Sequence, residues 1–104
     1  MIYLLNTPVL TAYGDYCFRG PITVQDARER IGKDFISAIG HDASAVFLSR
    51  LLGIDVPMNR ISVAMLQGDS ALVLRVKERL PEGKILEKNQ LISTPYELAW
   101  LKRL

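Results

Sequence analysis

His41 is the residue around which chemistry could be built, because the chain's only histidine stands where a strand-like run changes to a helical pattern. The apolar run ends at Gly40, and the helical pattern begins after Asp42, a good N-cap, with Ser44 able to support the same first turn. His41 should therefore lie beside unpaired backbone N–H groups at the positive end of a helix dipole, a place that suits phosphate. An imidazole titrating near neutrality beside a phosphate can donate a proton.

A second candidate group consists of cations near the ends of two predicted neighbouring strands. Period two places Arg75, Lys77 and Arg79 on one face of the later strand, and Arg60 begins the earlier one. A tight hairpin turn at residues 67–70 would bring Arg60 opposite Arg79. Two convergent guanidinium groups form a phosphate clamp. The alternative is a solvated edge that discourages sheet pairing, and the pattern alone favours it.

Each candidate also has an ordinary structural explanation. Taken singly, His41 fits a capping or core histidine, Glu82 fits a turn carboxylate after Pro81, and Cys17 fits an inert, half-buried side chain. The chain order suggests no nucleophile relay, and the glycines form neither a phosphate-binding loop nor a dinucleotide fingerprint. The chemistry that fits is RNA cleavage, because RNA carries its own nucleophile, the 2′-hydroxyl. Such a reaction needs an in-line pose, a positive cradle for the phosphorane and a proton for the departing 5′-oxygen.

The elements that must position these residues form a small α/β domain over residues 1–104, with a mixed β-sheet flanked by helices. The alternation of apolar residues predicts strands at residues 2–5, 16–18, 34–39, 61–66, 71–78 and 96–101. Helices are predicted at residues 23–30, 43–52 and 85–91. Gly20-Pro21 should interrupt the second strand, and Thr23 opens the first helix in a capping-box pattern.

Composition excludes several classes. A net charge of +2 is too mild for bulk DNA or membrane binding. One cysteine allows no intrachain disulfide, and with one histidine a zinc site of several such ligands is out of reach, so neither metal nor cofactor is expected. The sequence shows no signal-peptide pattern and no apolar run long enough to cross a membrane. A cytoplasmic protein is the expectation.

Three motifs in this order resemble a viral anti-CRISPR ring nuclease family. They are Ile39-Gly40-His41-Asp42, then Asn59-Arg60, then Arg79-Leu80-Pro81-Glu82-Gly83-Lys84. The early loop at Asn6 fits as well, and the resemblance extends from Ile2 to about Trp100. The family occurs in archaeal viruses, phages and mobile elements and in some type III CRISPR loci, so a viral, mobile-element or host origin stays open.

The resemblance implies a homodimer that binds cyclic tetra-adenylate, the second messenger of type III CRISPR complexes, in a pocket at the dimer interface. Without metal, it would cut the ring to linear di-adenylate with 2′,3′-cyclic phosphate ends and so antagonise this signalling, in the host cytoplasm if viral. It assigns catalysis to His41, Arg79 and Glu82. Substrate contacts are expected from Asn6, Thr7, Gly40, Asp42, Ser44, Arg60 and Arg75.

Symmetry supports this expectation independently of the resemblance. A ring of four identical nucleotides has two-fold symmetry, and an isologous dimer presents the same basic patch twice around one axis. Two other functions stay open: a module that binds a cyclic oligonucleotide without cutting it, and a small dimeric DNA-binding regulator. The near-neutral charge argues against the regulator, so duplex DNA is not an expected partner.

Overall fold

A mixed β-sheet of five strands organises the computed structural model, which describes residues 1–7, 12–76 and 96–104. The strands are β1 (Ile2–Leu5), β2 (Tyr16–Ile22), β3 (Ile36–Ser37), β4 (Ser70–Val76) and β5 (Tyr96–Arg103), in the spatial order β2-β5-β4-β1-β3. Two helices in this part of the chain, α1 (Val24–Ile31) and α2 (Asp42–Leu52), cover one face. The predicted α/β class is confirmed.

Strand direction determines where the loops of interest meet. β1 lies between β3 and β4 and runs parallel to both, whereas β5 is antiparallel to β4 and β2 is antiparallel to β5. The carboxyl ends of the three parallel strands therefore share one edge of the sheet. That edge receives Asn6 after β1 and the Gly40-His41 turn after β3.

The main core lies between the helices and one face of the sheet. Leu4, Leu72 and Leu98 come from the sheet, and Phe47 and Leu48 come from α2; all are at most 1% exposed. Burial of side chains of this size contributes roughly 1.5–3 kcal/mol each. This apolar contact fixes α2 against the sheet and so fixes the position of its N-terminus.

The segment of residues 61–66 covers the opposite face and is not the strand that its alternation predicts. Val63 and Met65 are buried and pack in a cluster with Leu5 and Val73, as period two requires, but the described sheet gives the segment no strand partner. The reason is that both edges of β4 are occupied, by β1 and β5. A turn follows, with the Asp69 amide donating to the Leu66 carbonyl at 2.9 Å, but it joins no hairpin.

Two local predictions near β2 and α1 had different outcomes. Thr23 caps α1 as predicted, because its hydroxyl accepts from the Asp26 amide at 3.1 Å. The predicted interruption at Gly20-Pro21 takes the form of a register irregularity between Arg19 and Ile22, but it does not end the strand, since β2 continues to Ile22. β2 is an edge strand of the described sheet, where a residue without an N–H can be accommodated.

Asp69 joins the amino ends of β1 and β4 at the edge remote from His41. Its carboxylate accepts from the Leu66 amide at 2.9 Å and pairs with the Met1 ammonium group at 3.1 Å. The Leu66 hydrogen bond is the main cause that lowers the pKa of Asp69 below its ordinary value, with a further contribution from Met1, while burial opposes them. Its ionised form therefore stabilises the fold.

We expect Asp69→Asn to lower the free energy of unfolding by about 1–2 kcal/mol at pH 7. The asparagine loses the ion pair with Met1, and its NH₂ group faces one of the two donors that the carboxylate accepts from. The pKa is lower in the folded chain, so the stabilisation is complete above the ordinary value of about 4 and is lost as pH falls further. Urea denaturation at pH 7, 5 and 3 should show the gap between wild type and variant closing on acidification. A gap that widens would contradict this assignment.

Candidate functional site

A cavity of about 240 Å³ opens beyond the carboxyl ends of β1 and β3. This edge of a parallel sheet is where α/β proteins bind ligands. The lining combines apolar side chains with amide, hydroxyl and guanidinium groups. The lining residues are Leu5, Asn6, Thr7, Ala38, Gly40, Arg60, Ile61, Ser62 and Val63.

His41 is the N-cap of α2 and directly follows Gly40 of the cavity lining, but it is not itself among the described lining residues. Its backbone is extended, and its Nδ1 accepts from the Ser44 amide at 3.4 Å. The prediction that Asp42 caps the helix is wrong: Asp42 is already helical, and its carboxylate accepts from the Ala43 amide at 2.8 Å. Asp42 still places negative charge in the first turn, where the helix dipole favours it.

Capping determines the tautomer of the His41 ring. Because Nδ1 accepts an amide N–H, the neutral ring carries its proton on Nε2. The Ser44 hydroxyl lies 3.4 Å from the same Nδ1 and can accept from it when the ring is protonated. Ser44 can therefore partner the imidazole in both protonation states, through its amide or its hydroxyl.

Arg60 is held against the turn that carries His41. Its Nε and Nη2 donate to the Gly40 carbonyl oxygen at 3.1 and 2.8 Å, and the side chain is exposed. The guanidinium thus sits on the carbonyl of the residue that precedes His41. A guanidinium has five N–H donors, more than these two bonds use, and it can offer the others to a phosphate.

Sequence reasoning missed the contacts that hold Arg60 there. Residues 57–60 run beside β3: the Ser37 hydroxyl donates to the Pro57 carbonyl at 2.6 Å, and the Asn59 side-chain amide donates to the Ser37 carbonyl at 2.7 Å. The backbone N–H of Asn59 donates to the Ile39 carbonyl at 2.8 Å. The available signal was a serine inside a short apolar strand, since a buried hydroxyl needs a partner.

Three other residues predicted to contact the substrate, Asn6, Thr7 and Arg75, differ in their distance from the cavity. Asn6 and Thr7 line the cavity. Arg75 is exposed on β4, two residues beyond Val73, whose register partner is Leu5 of the lining. It shares a sheet face with the lining but is not among the described lining residues.

Arg79 and Glu82 lie outside the described residues. Their assigned roles therefore stay predictions, as does the convergence of Arg60 with Arg79. The hairpin that was to bring the two arginines together does not form, so the clamp needs another geometrical basis. The cavity wall at Ile61 and Ser62, by contrast, comes from the segment that was predicted to be a paired strand.

The helices of the described residues do not reach membrane-spanning dimensions. α1 has 8 residues and α2 has 11, whereas a bilayer needs about 20 apolar residues. Neither is long and apolar enough to cross a membrane.

The fold is similar to that of solved structures, among them a protein of an archaeal virus. B116 of Sulfolobus turreted icosahedral virus superimposes with a TM-score of 0.78 over 98% of both chains, at 22% sequence identity. At that identity the likeness concerns the fold alone. A protein of an archaeal virus therefore has the same arrangement of sheet and helices as this chain.

Similar sequences cover nearly the whole chain. ORF117 of Acidianus two-tailed virus is 38% identical, over 99% of this chain and 93% of the relative. Protein 26 of Sulfolobus islandicus filamentous virus is 35% identical, over 84% and 77%. YddF of Bacillus subtilis is 32% identical, over 99% and 97%. The STIV B116-like family model matches residues 2–98, and the chain therefore belongs to this family, which includes small proteins of archaeal viruses.

Proposed function

We propose that this protein is a metal-independent ring nuclease that binds cyclic tetra-adenylate and cuts it to linear di-adenylate. The observation that carries the proposal is that Arg60, which lines the cavity, is hydrogen-bonded to the Gly40 carbonyl, and that Gly40 directly precedes His41, the N-cap of α2. A proton donor and a phosphate-binding cation thus stand at one edge of the sheet.

The reaction uses the nucleophile of the substrate. The 2′-hydroxyl attacks the adjacent phosphorus, so a 2′-O–P bond forms and the P–O5′ bond breaks. The hydroxyl proton passes to a base or solvent, while Nε2 of the His41 imidazolium gives its proton to the departing 5′-oxygen. The Arg60 guanidinium and the positive end of the α2 helix dipole stabilise the phosphorane. No water is consumed in this step, and the product carries a 2′,3′-cyclic phosphate.

The resemblance supplies the remaining roles. Arg79 would be the second cation of the phosphate cradle, and Glu82 the carboxylate that assists proton transfer. Arg75, at the same edge as the cavity by register, would contact the ring from β4.

The size of the cavity supports a dimeric arrangement. Sites for drug-sized ligands usually have about 300–1,000 Å³, and the cavity of one chain has about 240 Å³. It accommodates only part of a ring of four nucleotides. An isologous homodimer would place two such cavities around one axis and match the two-fold symmetry of the ligand.

The biological consequence follows from the substrate. Cyclic tetra-adenylate activates effector nucleases in the cytoplasm, and its cleavage there silences them. Membership of a family that includes archaeal virus proteins supports such an anti-CRISPR role.

Incubation with labelled cyclic tetra-adenylate in EDTA tests the proposal. We expect complete conversion to linear di-adenylate, because neither nucleophile nor proton donor depends on metal. A ring carrying 2′-O-methyl groups is the matched control, since it lacks the nucleophile and should bind but stay intact.

Two results would replace the proposal. Tight binding with the unmodified ring intact would indicate a sensing or sequestering module. An unbound ring, with duplex DNA binding that falls steeply as salt rises, would indicate a DNA-binding regulator.

A further inference from the structure

We propose that Asn59 is a positioning residue that holds Arg60 and the His41 turn in register through the end of β3. The inference concerns the site of the proposed ring nuclease and rests on that function for its kinetic consequence. Its structural part stands on the hydrogen bonds of residues 57–60.

The outer edge of β3 explains why an asparagine is needed. β3 has only two residues, and β1 pairs with its inner edge. On the outer side, the carbonyls of Ser37 and Ile39 accept from Asn59 at 2.7 and 2.8 Å, one through the side chain and one through the backbone. Ser37 and Ile39 are 5% and 0% exposed, so carbonyls left without partners there would be costly. Asn59 thus provides the two donors that a neighbouring strand would otherwise offer to these carbonyls.

These bonds determine the position of Arg60. Arg60 follows Asn59 directly, and its guanidinium reaches back to the Gly40 carbonyl, one residue before His41. Residues 59 and 60 thereby donate to three carbonyls of the segment that leads to His41, those of Ser37, Ile39 and Gly40. Loss of the Asn59 side-chain bond should make the position of the Arg60 guanidinium relative to the His41 imidazole less well fixed, although both groups remain.

The test compares Asn59→Asp, Asn59→Ala and, as a control, Gln67→Ala, which truncates an exposed amide in the turn before β4. Aspartate has the shape of asparagine but no N–H to donate. For both Asn59 variants we expect kcat to fall about 10-fold to 10²-fold with KM within about threefold, because misplacement by about 1 Å can cost 10²-fold. Gln67→Ala should behave as wild type.

A second readout does not depend on activity. His41 is the only histidine, so its imidazole gives a single set of ring signals in ¹H–¹³C and ¹H–¹⁵N spectra. Both Asn59 variants should shift these signals, and the control should not. If wild type proves unable to cut the ring, the proposed function fails, and these spectra still decide whether Asn59 positions the turn.

Wild-type kcat and unshifted His41 signals in folded Asn59→Asp would overturn the inference. A rise in KM alone would also overturn it, since that identifies a ligand contact instead. Should both Asn59 variants unfold, Ser37→Ala replaces them, because it removes the bond to Pro57 from the same segment. It must then shift the His41 signals and lower kcat about threefold or more, and the absence of either effect counts against the proposal.

Discussion

Replacing His41 by alanine should slow cleavage of cyclic tetra-adenylate by ~10²-fold or more and largely retain its affinity. The 5′-oxygen is a poor leaving group without a proton, and His41 at the N-terminus of α2 is the proposed donor. Affinity depends mainly on the cations, which the substitution leaves in place. Single-turnover cleavage and equilibrium binding measure the two quantities separately.

The substitution also removes a helix cap, so it needs a matched control. Loss of an N-cap acceptor costs about 1 kcal/mol, which alone could weaken the site. His41→Asn keeps a side-chain oxygen that can accept from the Ser44 amide but supplies no titrating proton. We expect the asparagine variant to match wild type in thermal stability and the alanine variant in slow cleavage. Wild-type turnover in His41→Asn would remove His41 from the mechanism.

Replacing Arg60 by alanine should lower the affinity for the ring about 10-fold to 10²-fold and slow turnover as well. Hydrogen bonds to a charged group contribute roughly 1.5–3 kcal/mol, which corresponds to that range. The uncleavable 2′-O-methyl ring allows affinity to be measured by calorimetry without turnover.

Arg60→Lys separates charge from geometry. Lysine retains the cation but loses the planar fork that donates twice to the Gly40 carbonyl, so we expect an affinity between those of wild type and alanine. Arg79→Ala should weaken binding in the same way if the two arginines form one clamp. Normal affinity in both Arg60→Ala and Arg79→Ala would contradict the clamp.

The local features of the site could be predicted from the sequence. The glycine before His41 and the apolar helical pattern after it locate a strand-to-helix junction, because both signals act over a few residues. The helix cap lies one residue before the predicted Asp42, at His41. Asparagine and aspartate are common caps, whereas a histidine ring that accepts from the third helical amide is not part of that pattern.

The non-local features could not be predicted. Alternation in residues 61–66 reports which side chains are buried, and Val63 and Met65 are buried, but it does not report pairing. The segment could pair with β4 only at a vacant edge of that strand. Both edges are occupied, one by β1 from the start of the chain and the other by β5 from its end. The contacts of Asn59 with β3 likewise join residues 20 or more positions apart.

Single-turnover cleavage in H₂¹⁸O with EDTA, followed by mass spectrometry of the first product, tests the central claim most directly. Attack by the ring's own 2′-hydroxyl predicts linear di-adenylate ending in a 2′,3′-cyclic phosphate that contains no solvent oxygen. An ¹⁸O-labelled phosphate in the initial product, or cleavage that stops when metal is chelated, would contradict the account.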